Sequence, residues 1–139
     1  MILLDTNVLS ALMLQAPDQD VIRWLDEQPR TSIWTTAITV FEIRFGLQVM
    51  ATGRRRSLLL SAFEHLLAKS IERRIAPFDD AAAQHAADLM AARQKQGRSG
   101  ELRDTMIAGI ALATHAAIAT RNVKHFEDTS CLLINPWNR

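Results

Sequence analysis

The sequence predicts an α/β fold, a three-layer α/β/α arrangement around a central, mostly parallel sheet. Three observations predict it. Short apolar runs occur at 2–4, 32–35, 74–77, 117–120 and 132–134. Longer stretches whose apolar residues recur at helical spacing lie between them. Helical connections between strands disfavour antiparallel hairpins, so right-handed crossovers should place helices on both sheet faces. A chain of 139 residues has room for one domain, taken as residues 1–139.

Each element follows in order. The run at 2–4 is strand one and stops at Asp5, which can cap a helical segment from Val8. Asp18 can cap a helix carrying Val21, Ile22, Trp24 and Leu25. After the strand at 32–35, Thr36 or Thr39 can cap a helix running through Phe41, Phe45 and Val49. A helix over about 57–70 has Leu58, Leu59, Phe63, Leu66 and Leu67 on its apolar side. The strand at 74–77 ends at Pro77, and Asp79 can cap an alanine-rich helix that Gly97 ends. Residues 97–100 read as a loop, and 101–115 as a last long helix leading into the strand at 117–120.

Composition narrows the class. The single cysteine, Cys131, excludes an intramolecular disulfide and a cysteine-based zinc knuckle. Net charge is +1, so a nucleic-acid partner would have to bind a local patch. Hydrophobic residues at 48% and charged residues at 22% argue a folded globule. The opening Met1-Ile2-Leu3-Leu4 is too short for a signal peptide or a membrane span, so a soluble, cytoplasmic protein is expected. Tyrosine is absent and aromatics make up 6%, so no stacking platform for single-stranded bases is obvious.

In open parallel sheets, ligands bind outside the carboxyl ends of the strands. Asp5 stands at such an end, where it could equally be a helix cap. Glu42 shares a helix face with Ile38, Phe45 and Val49. A carboxylate on a buried apolar stripe costs several kcal/mol unless paired, and Arg44 or Arg103 could pair it. Gly46, one turn on, costs about 1 kcal/mol against alanine and suggests close approach of another group. Asp104 lies beside Ile107, Ala108 and Ala111 in the first turn of its helix, where the helix dipole alone could stabilise it. Thr120 and Asn122 follow the fourth apolar run, in a place that also suits a turn. Taken together, Asp5, Glu42, Asp104 and Asn122 converge on one cleft of a parallel sheet. Three clustered carboxylates need a cation. Hard oxygen donors without cysteine or paired histidine select Mg²⁺ or Mn²⁺, and metal-assisted phosphodiester hydrolysis is the natural chemistry.

At these residues the chain resembles the PIN-domain VapC toxin family, in its FitB-like branch. The resemblance rests on Ile2-Leu3-Leu4-Asp5-Thr6-Asn7, on Ile38-Thr39-Val40-Phe41-Glu42-Ile43-Arg44-Phe45-Gly46 and on Asp104-Thr105-Met106-Ile107-Ala108. It continues through Ala119-Thr120-Arg121-Asn122 and Ile134-Asn135-Pro136-Trp137. Each motif is short, but their joint order and spacing are specific. The resemblance implies a Mg²⁺- or Mn²⁺-dependent ribonuclease, the toxin of a toxin–antitoxin pair. By the same resemblance Asp5, Glu42 and Asp104 hold the metal, Thr6 and Thr120 support the site, and water attack leaves a 5′-phosphate and a 3′-hydroxyl. The family often has acids where this chain has Asn122 and His125. That departure leaves a second metal open, and His125 could touch RNA or cap a short segment.

Residues 44–74 carry a local balance of +5, densest at Arg54-Arg55-Arg56. Arg93, Lys95, Arg98 and Arg103 lead into Asp104 and are candidate RNA contacts, whose binding should weaken steeply with salt. The resemblance also implies a homodimer or a higher toxin–antitoxin assembly, and a small antitoxin whose extended segment lies in a groove and sets a basic side chain among the acids. Two other readings compete. A catalytically weakened PIN-like module would bind RNA or protein without cleavage. A receiver-type signalling domain would need a lysine after the last apolar run, and none is there.

Overall fold

The computed structural model describes residues 1–138. Strand β1 (Ile2–Leu4) is followed by α1 (Thr6–Leu12) and α2 (Gln19–Glu27), then β2 (Ile33–Thr36), α3 (Ala37–Val49) and α4 (Arg54–His65). Strand β3 (Ile75–Ala76), α5 (Asp80–Lys95), α6 (Leu102–Thr114), β4 (Ala117–Ala119) and β5 (Leu133–Ile134) complete the order. The five strands form one sheet in the order β3-β2-β1-β4-β5, and every pairing is parallel. Ile2 pairs with Ile33 on one side of β1 and with Ala117 on the other. The topological switch therefore falls at β1, and Asp5 and Thr120 leave the sheet at the same edge.

Successive side chains of a strand face opposite ways, and Leu3 and Leu4 divide the interior accordingly. Leu4 packs with Val8, Trp24, Phe63 and Leu67 on one face, Leu3 with Ile107, Ile110, Ile118 and Phe126 on the other. The alanine-rich sequence of α5 has its reason in this second layer. A Cβ at Gly109 of α6 would lie 2.5 Å from the Ala82 carbonyl oxygen and 2.8 Å from Ala86 Cβ, so the two helices touch nearly backbone to backbone. The close approach expected at Gly46 is found at Gly109 instead, since a Cβ at Gly46 would meet nothing within 4 Å.

The caps explain where helices begin. Asp18, Thr36 and Asp79 each accept a backbone N–H in the first turn of α2, α3 and α5. Between the two candidates for α3, Thr36 is the cap, and Thr39 lies inside the helix. Gly97, at φ +71°, ends α5 as expected. The helix expected over 57–70 starts earlier, at Arg54, and its last turn, Leu66–Ser70, widens to π-helical spacing. Among the described residues, no helix is long and apolar enough to cross a membrane.

Candidate active site

Asp5 caps α1 and is 4% exposed, although caps usually stand in solvent. One carboxylate oxygen accepts the Thr6 amide at 2.8 Å, and the other accepts the Thr120 hydroxyl at 2.7 Å. The cap and the site are thus one group. Burial pushes its pKa up, the Thr120 and Thr6 bonds pull it back, and the Asp104 charge raises it further.

Glu42 stands in the second turn of α3. Its Oε1 accepts the Thr6 hydroxyl at 3.1 Å, and its Oε2 lies 3.8 Å from Arg103. Of the two expected partners Arg103 is therefore the one in reach, while Arg44 bonds Glu64 at 2.7 Å and covers the Phe63 ring. Burial raises the Glu42 pKa, Thr6 and Arg103 lower it, and Asp5 and Asp104 raise it. Of the apolar residues beside Glu42, Ile38 is core, but the rest of that side of α3 is open. Phe41, Phe45 and Val49 are 57%, 54% and 67% exposed.

Asp104 enters from the first turn of α6, whose cap is Glu101. Its Oδ2 lies 2.6 Å from His125 Nδ1. Burial raises its pKa, and the His125 bond lowers it. Asn122 follows Thr120, donates its backbone N–H to the Thr120 hydroxyl at 3.0 Å, and is exposed.

Sequence reasoning gave Asn7 no role of its own. Its side-chain amide donates to Asp5 and to Thr120, and its carbonyl accepts the Arg121 amide at 3.0 Å. It fastens the end of β1 to the end of β4. Its place two residues after Asp5 was the available signal, but an asparagine in a first helical turn is also ordinary.

The structure separates the four basic candidates. Arg93 is held inside the fold rather than displayed on its surface. It is 6% exposed and fully committed, with Nε 2.7 Å from Asp128, Nη1 3.0 Å from Thr105 Oγ1 and Nη2 3.0 Å from the His125 carbonyl. A cation that far from water needs such partners, and Asp128 supplies the charge. Arg103 spans Glu42 and Glu101. Arg98 is half-exposed and lines a cavity of about 220 Å³ with Ser99, Asp104, Lys124 and His125. Lys95 is exposed at the end of α5 and is not among the residues lining that cavity.

Three carboxylates from β1, α3 and α6 thus sense one another's charge across one cleft. The donors are all hard oxygens, the set that suits Mg²⁺ or Mn²⁺. Among the described residues, no three His, Cys, Asp or Glu side chains form a ready-made ligand cage. Each acid instead leans on a local partner: Thr120, Thr6 with Arg103, and His125.

The sequence profile of the PIN domain matches residues 2–130. The chain is 39% identical to the VapC ribonuclease Y4jK of Sinorhizobium fredii, over 99% of this chain and 98% of that one. It is 31% identical to Toxin FitB of Neisseria gonorrhoeae over 99% of both chains. The crystal structure of FitAcB from that organism aligns with all of both chains at a TM-score of 0.89 and 31% identity. A member of the VapBC family of toxin–antitoxin systems from Mycobacterium tuberculosis, 25% identical, aligns over 96% of both chains at a TM-score of 0.68. With sequence, fold and strand-end carboxylates in agreement, the chain belongs to the PIN-domain family, among the VapC and FitB toxins.

Proposed function

We propose that the chain is a Mg²⁺- or Mn²⁺-dependent endoribonuclease, the toxin half of a type II toxin–antitoxin pair. The observation that carries this reading is a buried carboxylate, Asp5, whose ionisation burial and the Asp104 charge oppose, and whose own charge joins that of Asp104 in opposing ionisation of Glu42. A cluster of this kind is completed by a cation from outside the chain. Asp5, Glu42 and Asp104 would hold it, and Asn122 would add a neutral carbonyl oxygen. When bound, such an ion supplies Lewis-acid polarisation of a phosphate oxygen and acidifies a water. The chain's own residues set the stage. Thr120 and the Thr6 amide fix both oxygens of Asp5, the Thr6 hydroxyl fixes Glu42, and His125 holds Asp104. Arg98 and Lys124, beside Asp104, offer positive charge to an arriving RNA backbone.

The test is cleavage of total RNA with Mg²⁺, with Mn²⁺ and with EDTA, for the native chain and for Asp5→Ala. Cleavage with either ion, abolished by EDTA and by the substitution, is the expected result. Undiminished cleavage by Asp5→Ala would refute the reading. RNA bound but uncut under every condition would identify a weakened binding module instead.

Two protein partners fit the surface. A second copy of the chain suits the face formed by Phe41, Phe45, Val49, Leu102 and Met106, where the Phe41 and Phe45 rings stack at 6.4 Å. Gly46 lies on this face, and its own chain offers no reason for a missing side chain. A neutralising antitoxin suits the groove between Leu12, Met13, Leu58 and Leu59, rimmed by Arg54 and Arg55. The first turn of α4 holds three arginines, no acid and no side-chain cap. Cations there oppose the helix dipole, so an amphipathic segment bringing a carboxylate would relieve it.

A further inference from the structure

The Arg121 guanidinium lies over the Trp137 ring, 4.8 Å from its centroid. We propose that this stack is the platform on which the cleft receives a nucleobase of its RNA, next to the phosphate that is cut. The inference rests on the ribonuclease reading and extends it to a pair of residues that holds substrate and takes no part in the bond-breaking itself.

The position is fixed by the same network that fixes the acids. Arg121 directly follows Thr120, whose hydroxyl donates to Asp5. Its amide donates to Asn7, which also bonds Asp5 and Thr120. Trp137 follows β5, the neighbour of β4. Its amide donates to the Asn135 side chain at 3.0 Å, the preceding Pro136 is buried, and its ring packs on the core face that holds Leu4 and Val8. The lower plate is therefore rigid, and the upper one hangs from the catalytic edge of the sheet.

Arg121 is exposed, and among the described residues no carboxylate pairs with it. The arginines that line the cavity beside Asp104 or reach Glu42 behave otherwise. Arg93, Arg98 and Arg103 each have an acid within 4 Å. A guanidinium is planar, and one laid over an indole can keep its outer face free for a second partner. It can stack a base on that face while its N–H edge meets a phosphate. A lysine could do only the second. The low aromatic content hides such a platform, because half of it is an arginine.

The alternative is that Arg121 merely covers Trp137 with its methylene stem. Binding separates the two. The probe is a fluorescein-labelled ten-nucleotide single-stranded RNA, read by anisotropy at fixed salt in EDTA, with the full chain carrying Asp5→Asn so that cutting is suppressed. A second probe has the same ribose-phosphate backbone without bases. Adding Arg121→Met, which keeps the apolar cover, should weaken binding of the first probe about five-fold or more, the lower end of what a lost base stack costs. Arg121→Lys should fail to restore it, and neither change should alter affinity for the baseless probe by as much. A smaller loss with Met, full rescue by Lys, or an equal loss on the baseless probe would overturn the platform, the last two leaving Arg121 as a point charge. Should the Asp5→Asn chain bind neither probe, the ribonuclease reading itself falls, a result distinct from any of these.

Discussion

Asp104 Oδ2 and His125 Nδ1 are 2.6 Å apart, across 21 residues of sequence. With Asp104 ionised its carboxylate only accepts, so Nδ1 is the donor of this bond; His125 also lines the cavity shared with Arg98 and Lys124. An imidazole thus stands where a further acid would have added negative charge, and it favours the ionised form of Asp104.

Removing that imidazole should be visible in the pH dependence of cleavage. Burial holds the Asp104 pKa up, and His125 is the first of the groups that pull it down. His125→Ala should therefore raise it further. The acid limb of the pH–rate profile should move to higher pH, because a protonated Asp104 cannot hold a cation. An acid limb unchanged in position would show that Asp104 does not govern it.

Asp5→Asn separates stability from catalysis. Asparagine is as good a cap as aspartate: its Oδ1 can accept the Thr6 amide while its Nδ2 donates to the Thr120 hydroxyl in place of accepting from it. Asp5 has a raised folded-state pKa, so the native chain holds its proton where the unfolded chain has released it. That contribution to stability is present below the ordinary carboxylate range and is lost as pH rises through the elevated value. In EDTA at neutral pH, Asp5→Asn should therefore melt no lower than the native chain, and the difference should shrink in acid. Cleavage should fall about 100-fold or more, on the order of losing a principal electrostatic group. A lower melting temperature at neutral pH in EDTA would contradict the account of the cluster.

Arg93 joins three pieces of chain that sequence distance conceals: α5, Thr105 on α6 and the segment from His125 to Asp128. Arg93→Met should lower stability by about 3 kcal/mol, the scale of breaking a buried pair and stranding its partner. Arg98→Ala, which gives up one long contact of 3.7 Å to the same Asp128, should cost little. Equal melting temperatures for the two variants would show that Arg93 is not the fastening.

These contrasts show what was legible in the sequence. The strands, caps and the Gly97 stop are local, set by short-range periodicity and side-chain-to-backbone bonds, and they stand where expected. Asp5, Glu42 and Asp104 could be singled out because a carboxylate beside apolar residues is anomalous anywhere in a chain. What sequence could not carry was the identity of neighbours. Arg93 read as a candidate RNA contact, with no sign of its carboxylate partner, because Asp128 is 35 residues away. Gly46 and Gly109 both interrupt helices, and only packing shows which of them another helix touches. Phe45 and Val49 beside Glu42 looked like core because periodicity reports a shared face and not what covers it.

That uncovered face supplies the last prediction. Glycine inside a helix costs about 1 kcal/mol against alanine, and no atom of the chain would obstruct a Cβ at Gly46. In an isolated chain Gly46→Ala should therefore stabilise by about that amount. If a second copy packs there, Phe41, Phe45 and Val49 provide the apolar contact and Gly46 the room for close approach. Gly46→Leu should then dissociate the pair while each chain stays folded, and Phe45→Glu should do the same by burying a charge. Light scattering coupled to size exclusion reads both. A native chain that runs as a monomer at tens of micromolar, or a Gly46→Leu variant that remains a dimer, would remove this face from the assembly.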